Sequence, residues 1–147
     1  MHISLNRGVL VATDGSTSAA RAEGVAAAIA AGCKSRLVIV TISRGLPDVE
    51  LRRLAHIEGD LGKARHRLVT NILQEAADRA KRAGAMDVVT LSDHGDPAAA
   101  IISIAEREQV DLIVLGRRGV GALSQLLLGS VSRSIVDRAS CAVTVVP

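Results

Sequence analysis

Five short runs of aliphatic and β-branched residues recur along the chain, and segments with helical spacing of apolar residues separate them. The runs lie at residues 9–13, 37–42, 86–91, 112–115 and 142–146. Runs that are apolar along nearly their whole length are typical of strands in a parallel sheet. The alternation therefore predicts an α/β fold, a single doubly wound domain over residues 1–147. Its five-stranded parallel sheet is expected to have strand order 3-2-1-4-5, with helices on both faces.

Apolar residues three and four positions apart predict four helices. The first helix has its inward stripe at Ala19, Ala22, Ala26, Ile29 and Cys33. The second runs from about Glu58 to Ala83, with its stripe at Leu61, Ala64, Leu68, Ile72 and Ala76. The third opens at Asp96-Pro97, an N-cap followed by proline, and the fourth spans Ser130 to Ala139.

The segment from Arg44 to Ile57 contains Gly45 and Pro47, and it lies between the second strand and the second helix. Glycine and proline are the usual residues of turns and loops. We therefore expect a loop here that is able to move over a site at the strand ends.

The sequence contains no Phe, Trp or Tyr, so its core must be aliphatic. Modules that bind single-stranded nucleic acid stack bases on aromatic side chains, and this class is therefore disfavoured. The net charge of +3 comes from 18 basic and 15 acidic residues spread along the chain, as expected for solvated helix faces rather than a polyanion-binding surface. Cys33 and Cys141 lack CxxC spacing and are predicted to be buried free thiols.

The N-terminal residues lack the basic and apolar segments of a signal peptide, and no apolar run approaches the ~18 residues of a membrane span. A cytoplasmic protein without a membrane partner is expected.

Two segments should meet where the winding of the sheet reverses, between strands 1 and 4. In such sheets ligands bind beyond the carboxyl ends of the strands at this point. One segment is Thr13-Asp14-Gly15-Ser16, and the other reads Gly116-x2-Gly119-x9-Gly129-Ser130, followed by Val131 and Ser132.

The second segment has the features of a phosphate cradle. A helix that begins at Ser130 offers unpaired N–H groups and a partial positive charge, and glycines let the backbone approach an anion closely. The alternative is that Gly116 and Gly129 are only turn and helix-boundary residues. Arg117 and Arg118 are either phosphate ligands or solvated loop residues.

Asp14 lies across the crevice from this cradle. A carboxylate ~6 Å from a phosphate oxygen would repel it by roughly 3 kcal/mol at an effective dielectric constant of about 20. Asp14 is therefore expected to face ribose hydroxyls or to bind a divalent cation such as Mg²⁺. The alternative role is the N-cap of the first helix.

Catalytic residues do not emerge from the sequence. The cradle has no lysine, as the GxxxxGK[ST] motif would require, and no nucleophile has an adjacent base. His94 follows strand 3, at the far edge of the predicted sheet. We therefore expect binding without efficient turnover, with slow hydrolysis or autophosphorylation on Ser130 or Ser132 left open.

These segments resemble the universal stress protein family over nearly the whole chain. Residues 9–16 (VLVATDGS) are similar to its first strand and turn, and residues 110–116 (VDLIVLG) to its fourth strand. The spacing of Gly116, Gly119 and Gly129-Ser130 resembles that of the subclass that binds ATP.

The resemblance implies a homodimer that binds ATP, ADP or AMP, with Mg²⁺. Asp14 would contact ribose or the metal, and adenine would meet the main chain at Ile42. Ala12 and Leu115 would lie beside the base, with Thr13 at the end of the first strand. The phosphate ligands would be Gly116, Gly119, Gly129, Ser130, Val131 and Ser132.

Two functions from different classes follow. The first is a nucleotide-responsive stress regulator whose loops are ordered when ATP is bound. The second is a nucleotide-independent dimeric adaptor that acts through partner binding. In both, residues 142–146 form an apolar edge strand that is expected to pair with its copy across a two-fold axis.

Overall fold

The structure, a computed structural model, describes residues 5–117 and 128–147. The strands are β1 (Val9–Ala12), β2 (Leu37–Ile42), β3 (Val88–Asp93), β4 (Leu112–Gly116) and β5 (Ala142–Val146). The helices are α1 (Thr17–Cys33), α2 (Asp48–Glu58), α3 (Leu61–Arg82), α4 (Pro97–Arg107) and α5 (Ser130–Arg138), with a short 3-10 helix at Ser43–Gly45. All four strand pairs are parallel and the order is β3-β2-β1-β4-β5, so the predicted sheet is confirmed.

Side chains that alternate along the central strands divide the core into two layers. Val9 and Val11 pack with α1 and α3 on one face of the sheet. Leu10 and Ala12 pack with α4 and α5 on the other face. Helices therefore cover both faces, as the apolar strands predict.

The segment predicted to be a loop, 44–57, contains helix α2, so that prediction is wrong. Gly45 and Pro47 both precede the helix rather than interrupting it, and Asp48 and Glu50 favour its first turn by their charge. Leu46 and Leu54 are buried against α3 in a small third cluster. This burial stabilises helix α2, which the glycine and proline before it did not predict.

The second predicted helix begins three residues later than expected. Gly59 ends α2 in the left-handed region (φ 71°), and the carboxylate of Asp60 caps α3 by accepting a hydrogen bond from the Lys63 N–H at 2.9 Å. Glu58 therefore belongs to α2. Leu61 is 51% exposed, so its predicted inward position is also wrong, whereas the rest of the stripe is buried.

Two further expectations need correction at element ends. Cys33 is the last residue of α1 and is exposed rather than buried, because it lies past the edge of the core, and Cys141 is half-buried. Strand β3 begins at Val88 rather than Met86, whose side chain is 94% exposed.

Candidate functional site

A cavity of about 350 Å³ opens at the carboxyl ends of β1 and β4, where the winding of the sheet reverses. Strand ends form its floor, and the first turns of α4 and α5 form two of its walls. The residues that line it are Ala12, Thr13, Asp14, Ser16, Ala19, Val40, Ile42, Gly45, Pro97, Ile101, Leu115, Gly116, Gly129, Ser130, Val131 and Ser132.

One part of the cavity lining is aliphatic. Ile42 and Leu115 are buried at the ends of β2 and β4, and Ile101 reaches the cavity from the inner face of α4. These side chains belong to the sheet face that α4 and α5 cover. A flat apolar group can lie between them, with strand-end backbone groups at its edge.

Helix α5 begins at another wall of the cavity, without a side-chain cap. Its N-cap is Gly129, whereas α1, α3 and α4 are capped by Ser16, Asp60 and Asp96. Gly129 donates its N–H to the Arg117 carbonyl at 2.9 Å, which places the start of α5 beside the end of β4. The N–H groups of the first helical turn have no acceptor within the helix, so this wall is suited to an anion.

The hydroxyl of Ser132 points back to the sheet rather than to a ligand. It donates to the Gly116 carbonyl at 2.8 Å, and the Ser132 side chain is buried. Gly116 has a packing role of its own, because a Cβ there would lie 2.8 Å from Ser18 Oγ and 3.2 Å from the Ser18 carbonyl oxygen. Both residues therefore fix the relative positions of α1, β4 and α5.

Asp14 lies in the turn between β1 and α1. Its Oδ1 accepts a hydrogen bond from the Ser16 N–H at 2.9 Å. Ser16, not Asp14, is the N-cap of α1, since its hydroxyl oxygen accepts from the Ala19 N–H at 3.1 Å. The alternative role of Asp14 as the helix cap is therefore wrong, and Asp14 lines the cavity.

Behind this turn lies a buried polar network that the sequence analysis missed. The Thr13 hydroxyl donates to Glu23 Oε1 at 2.6 Å, and Arg79 donates to Glu23 Oε2 from Nε at 2.9 Å and from Nη2 at 2.6 Å. Glu23 is only 3% exposed. One signal was available: Glu23 has helical spacing from Ala19 and Ala26, within the inward stripe of α1.

Ten of the eleven predicted binding residues line this one cavity. The eleventh, Gly119, lies outside the described residues, as does Arg118. His94 is exposed at the end of β3, which is an edge strand as expected. The cavity also includes two α4 residues that the sequence analysis did not assign to the site, because Pro97 shows only the pattern of a helix start and Ile101 that of an ordinary buried helix.

Asp14 is the one carboxylate among the described residues that line the cavity. Within residues 5–117 and 128–147, no group of three or more His, Cys, Asp or Glu side chains could hold a metal ion. This donor set suits Mg²⁺ that arrives with phosphates, because Mg²⁺ is commonly bound by one or two carboxylates together with phosphate oxygens.

Comparison with known proteins agrees with the fold that the strand order predicts. A sequence model of the universal stress protein family matches residues 6–147. The chain belongs to this family. A universal stress protein of Mycobacterium tuberculosis (strain ATCC 25618 / H37Rv) is 37% identical over 149 residues, covering 98% of each chain. A Thermus aquaticus member is 36% identical over 146 residues, covering 94% of this chain and 96% of its own.

Solved structures of the universal stress protein family share the architecture. One crystal structure of a universal stress protein in complex with cAMP is 32% identical, with a TM-score of 0.70, and covers 97% of this chain and 98% of its own. The universal stress protein from Lactobacillus plantarum is 22% identical with a TM-score of 0.78, covering 99% and 100% of the two chains, which shows the fold alone. Among the helices of the described residues, none is both long and apolar enough to cross a membrane.

Proposed function

We propose that this chain binds an adenine nucleotide in the cavity at the carboxyl ends of β1 and β4. The observation that carries the proposal is that two unlike walls meet in one cavity: aliphatic side chains at the strand ends, and the uncapped first turn of α5. A base fits the first wall and a phosphate group fits the second. The family relative in complex with cAMP supports the same class of ligand.

ATP with Mg²⁺ is our first candidate. The α- and β-phosphates would accept hydrogen bonds from the N–H groups of Ser130, Val131 and Ser132. Asp14 would hold the ribose hydroxyls or the metal, because its charge disfavours direct phosphate contact. Gly119, which stands outside the described residues, completes the spacing on which this candidate rests.

The second candidate is a nucleoside monophosphate such as cAMP, AMP or dAMP. It is favoured by the 32% identical relative with cAMP and by the start of α5, which is the one uncapped α-helix N-terminus among the described residues that line the cavity and is suited to one phosphate group. ATP and cAMP place different numbers of charges beside α5. Their affinities therefore separate the two candidates directly.

On this proposal the protein acts as a nucleotide-responsive regulator rather than as an efficient enzyme. Residues 116–132 contain no lysine to stabilise charge during phosphoryl transfer. Dimerisation through β5 is part of this proposal, because its valines are only partly buried on an edge strand. The alternative is a dimeric adaptor that needs no nucleotide.

The absence of Phe, Trp and Tyr makes the test simple, since the apo-protein absorbs very little near 280 nm. The purified protein should show a 260 nm band that is released by denaturation and identified by chromatography. Protein stripped of ligand should bind ATP or cAMP in a calorimetric titration and should sediment as a dimer at micromolar concentration. A stripped protein that binds no adenine nucleotide would leave the adaptor as the function.

A further inference from the structure

Helix α3 contacts the turn between β1 and α1 directly through Ile72 and indirectly through Glu23 of α1, although no described residue of α3 lines the cavity. Ile72 packs on Gly15, where an added Cβ would lie 3.2 Å from Ile72 Cγ1, and Arg79 binds Glu23 behind Thr13. Ile72 and Arg79 are seven residues apart and so lie on one face of the helix. One rigid element thus holds the turn from behind.

The charges of Glu23 and Arg79 fix which group donates and which accepts in each hydrogen bond of the network. Arg79 saturates Glu23 Oε2 with two donors, which leaves Oε1 to accept the Thr13 hydroxyl hydrogen. The Thr13 oxygen is then left to accept a hydrogen bond, which it receives from the Gly15 N–H at 3.2 Å. Gly15 is held in the left-handed region, with φ 81°.

This conformation of Gly15 decides where Asp14 lies. Asp14 is flanked by Thr13 and Gly15, both of which the network holds, and the Thr13 carbonyl also accepts the Thr41 hydroxyl at 2.9 Å. Asp14 lines the cavity, whereas Glu23 and Arg79 do not. The pair can therefore act on a ligand only through the turn.

We infer that Glu23 and Arg79 are positioning residues, which hold the β1–α1 turn in the shape that presents Asp14 to the ribose hydroxyls of the nucleotide. The inference rests on the proposed function. A purely structural ion pair would affect stability alone, whereas a positioning pair also sets the preference for a ribose that carries its hydroxyls.

The test compares ATP with 2′,3′-dideoxy-ATP by calorimetry, at a temperature where every variant is folded. Glu23→Gln is isosteric, but its amide must present an NH₂ group either to the Arg79 donors or to the Thr13 hydroxyl. Either choice breaks the polarity of the network. The parent should prefer ATP by about tenfold, as expected for a hydrogen bond to a charged group. Glu23→Gln should reduce this ratio towards one.

Two control variants separate positioning from stability. Glu108→Gln weakens another arginine–glutamate pair, with Arg36 at 3.0 Å, near the amino end of β2. Ile39→Val removes a methyl group from the core layer that α1 and α3 cover. Both should lower the midpoint of thermal unfolding and keep the tenfold preference of the parent. If Glu23→Gln does not fold, Arg79→Lys, which keeps the charge but loses the two-donor geometry, should show the same reduced ratio.

The outcomes distinguish the two proposals. A Glu23→Gln variant, or an Arg79→Lys variant in its place, that keeps the full preference for ATP overturns the positioning role and leaves nucleotide binding intact. A parent protein that binds ATP and 2′,3′-dideoxy-ATP equally well also overturns the positioning role and leaves nucleotide binding intact. A parent that binds neither overturns the proposed function itself.

Discussion

Ser132 and Gly116 join the first turn of α5 to the end of β4, through a hydrogen bond of 2.8 Å from the serine hydroxyl to the glycine carbonyl. The uncapped helix start is thereby held beside the aliphatic strand ends. The serine that the sequence suggested as a phosphate ligand thus has a structural partner for its hydroxyl. Only its backbone N–H remains for an anion.

We predict that Ser132→Ala lowers both stability and nucleotide affinity. The lost hydrogen bond should reduce the free energy of unfolding by about 1 kcal/mol and let the start of α5 shift. Ser134→Ala is the matched control, since that hydroxyl accepts an exposed hydrogen bond from Arg138 at 3.2 Å within the same helix. Urea unfolding and calorimetry measure the two effects. An unchanged affinity in Ser132→Ala would show that the hydrogen bond from Ser132 to Gly116 does not position the helix for binding.

A negative charge at the first position of α5 should have opposite effects on stability and on nucleotide binding. Ser130→Asp places a carboxylate at an uncapped helix N-terminus, which should stabilise the apo-protein by roughly 0.3–1 kcal/mol. The same charge should exclude a phosphate, so ATP and cAMP binding should be lost. Ser130→Asn, which is similar in size but neutral, should bind. Tight ATP binding by Ser130→Asp would remove the phosphate from this helix.

Substitution by alanine should have opposite effects on stability at two glycines. In Gly116→Ala the new methyl group meets the backbone of Ser18 at 3.2 Å, so α1 must shift, and we expect a loss of about 1–3 kcal/mol. Gly24 lies within α1 with nothing within 4 Å of an added Cβ, so Gly24→Ala should gain about 0.5–1 kcal/mol. Thermal unfolding of both variants tests this. A neutral Gly116→Ala would mean that the glycine serves the ligand rather than the packing.

The two cysteines should differ in their reaction with a thiol reagent. Cys33 is exposed, whereas burial raises the pKa of the Cys141 thiol, and the negative charges of Asp111 and Glu106 raise it further. Near pH 8 Cys33 should therefore react first. Asp111→Asn removes one of these charges, so it should lower the pKa of Cys141 and speed its reaction, which peptide mapping after timed alkylation can follow. Equal rates at both thiols would contradict the burial of Cys141.

The sheet could be predicted because the three central strands, β1, β2 and β4, are apolar along nearly their whole length, a pattern that depends on burial on both faces. The cavity residues followed from the strand order, since a parallel sheet brings the ends of β1 and β4 together. Helix α2 could not be predicted in the same way. Its helical state depends on Leu46 and Leu54 finding a surface on α3, and that contact is tertiary.

The Glu23 network was missed for a related reason. An acidic residue on a helix is usually solvated, and its burial here depends on Arg79, which lies 56 positions further along the chain. The role of Asp14 could not be decided from the sequence either. Its neighbour Ser16 has the same capping chemistry, so only the structure distinguishes the cap from the cavity residue.

The two edges of the sheet differ in character, and this limits how copies of the chain can associate. β5 offers partly buried valines, whereas the outer strand β3 carries exposed Thr90 and Ser92 and ends at Asp93. Head-to-tail growth into a filament needs two complementary edges on each copy. With one apolar edge, the proposed association through β5 would close after two copies, and the sheet would extend to ten strands without starting a fibre.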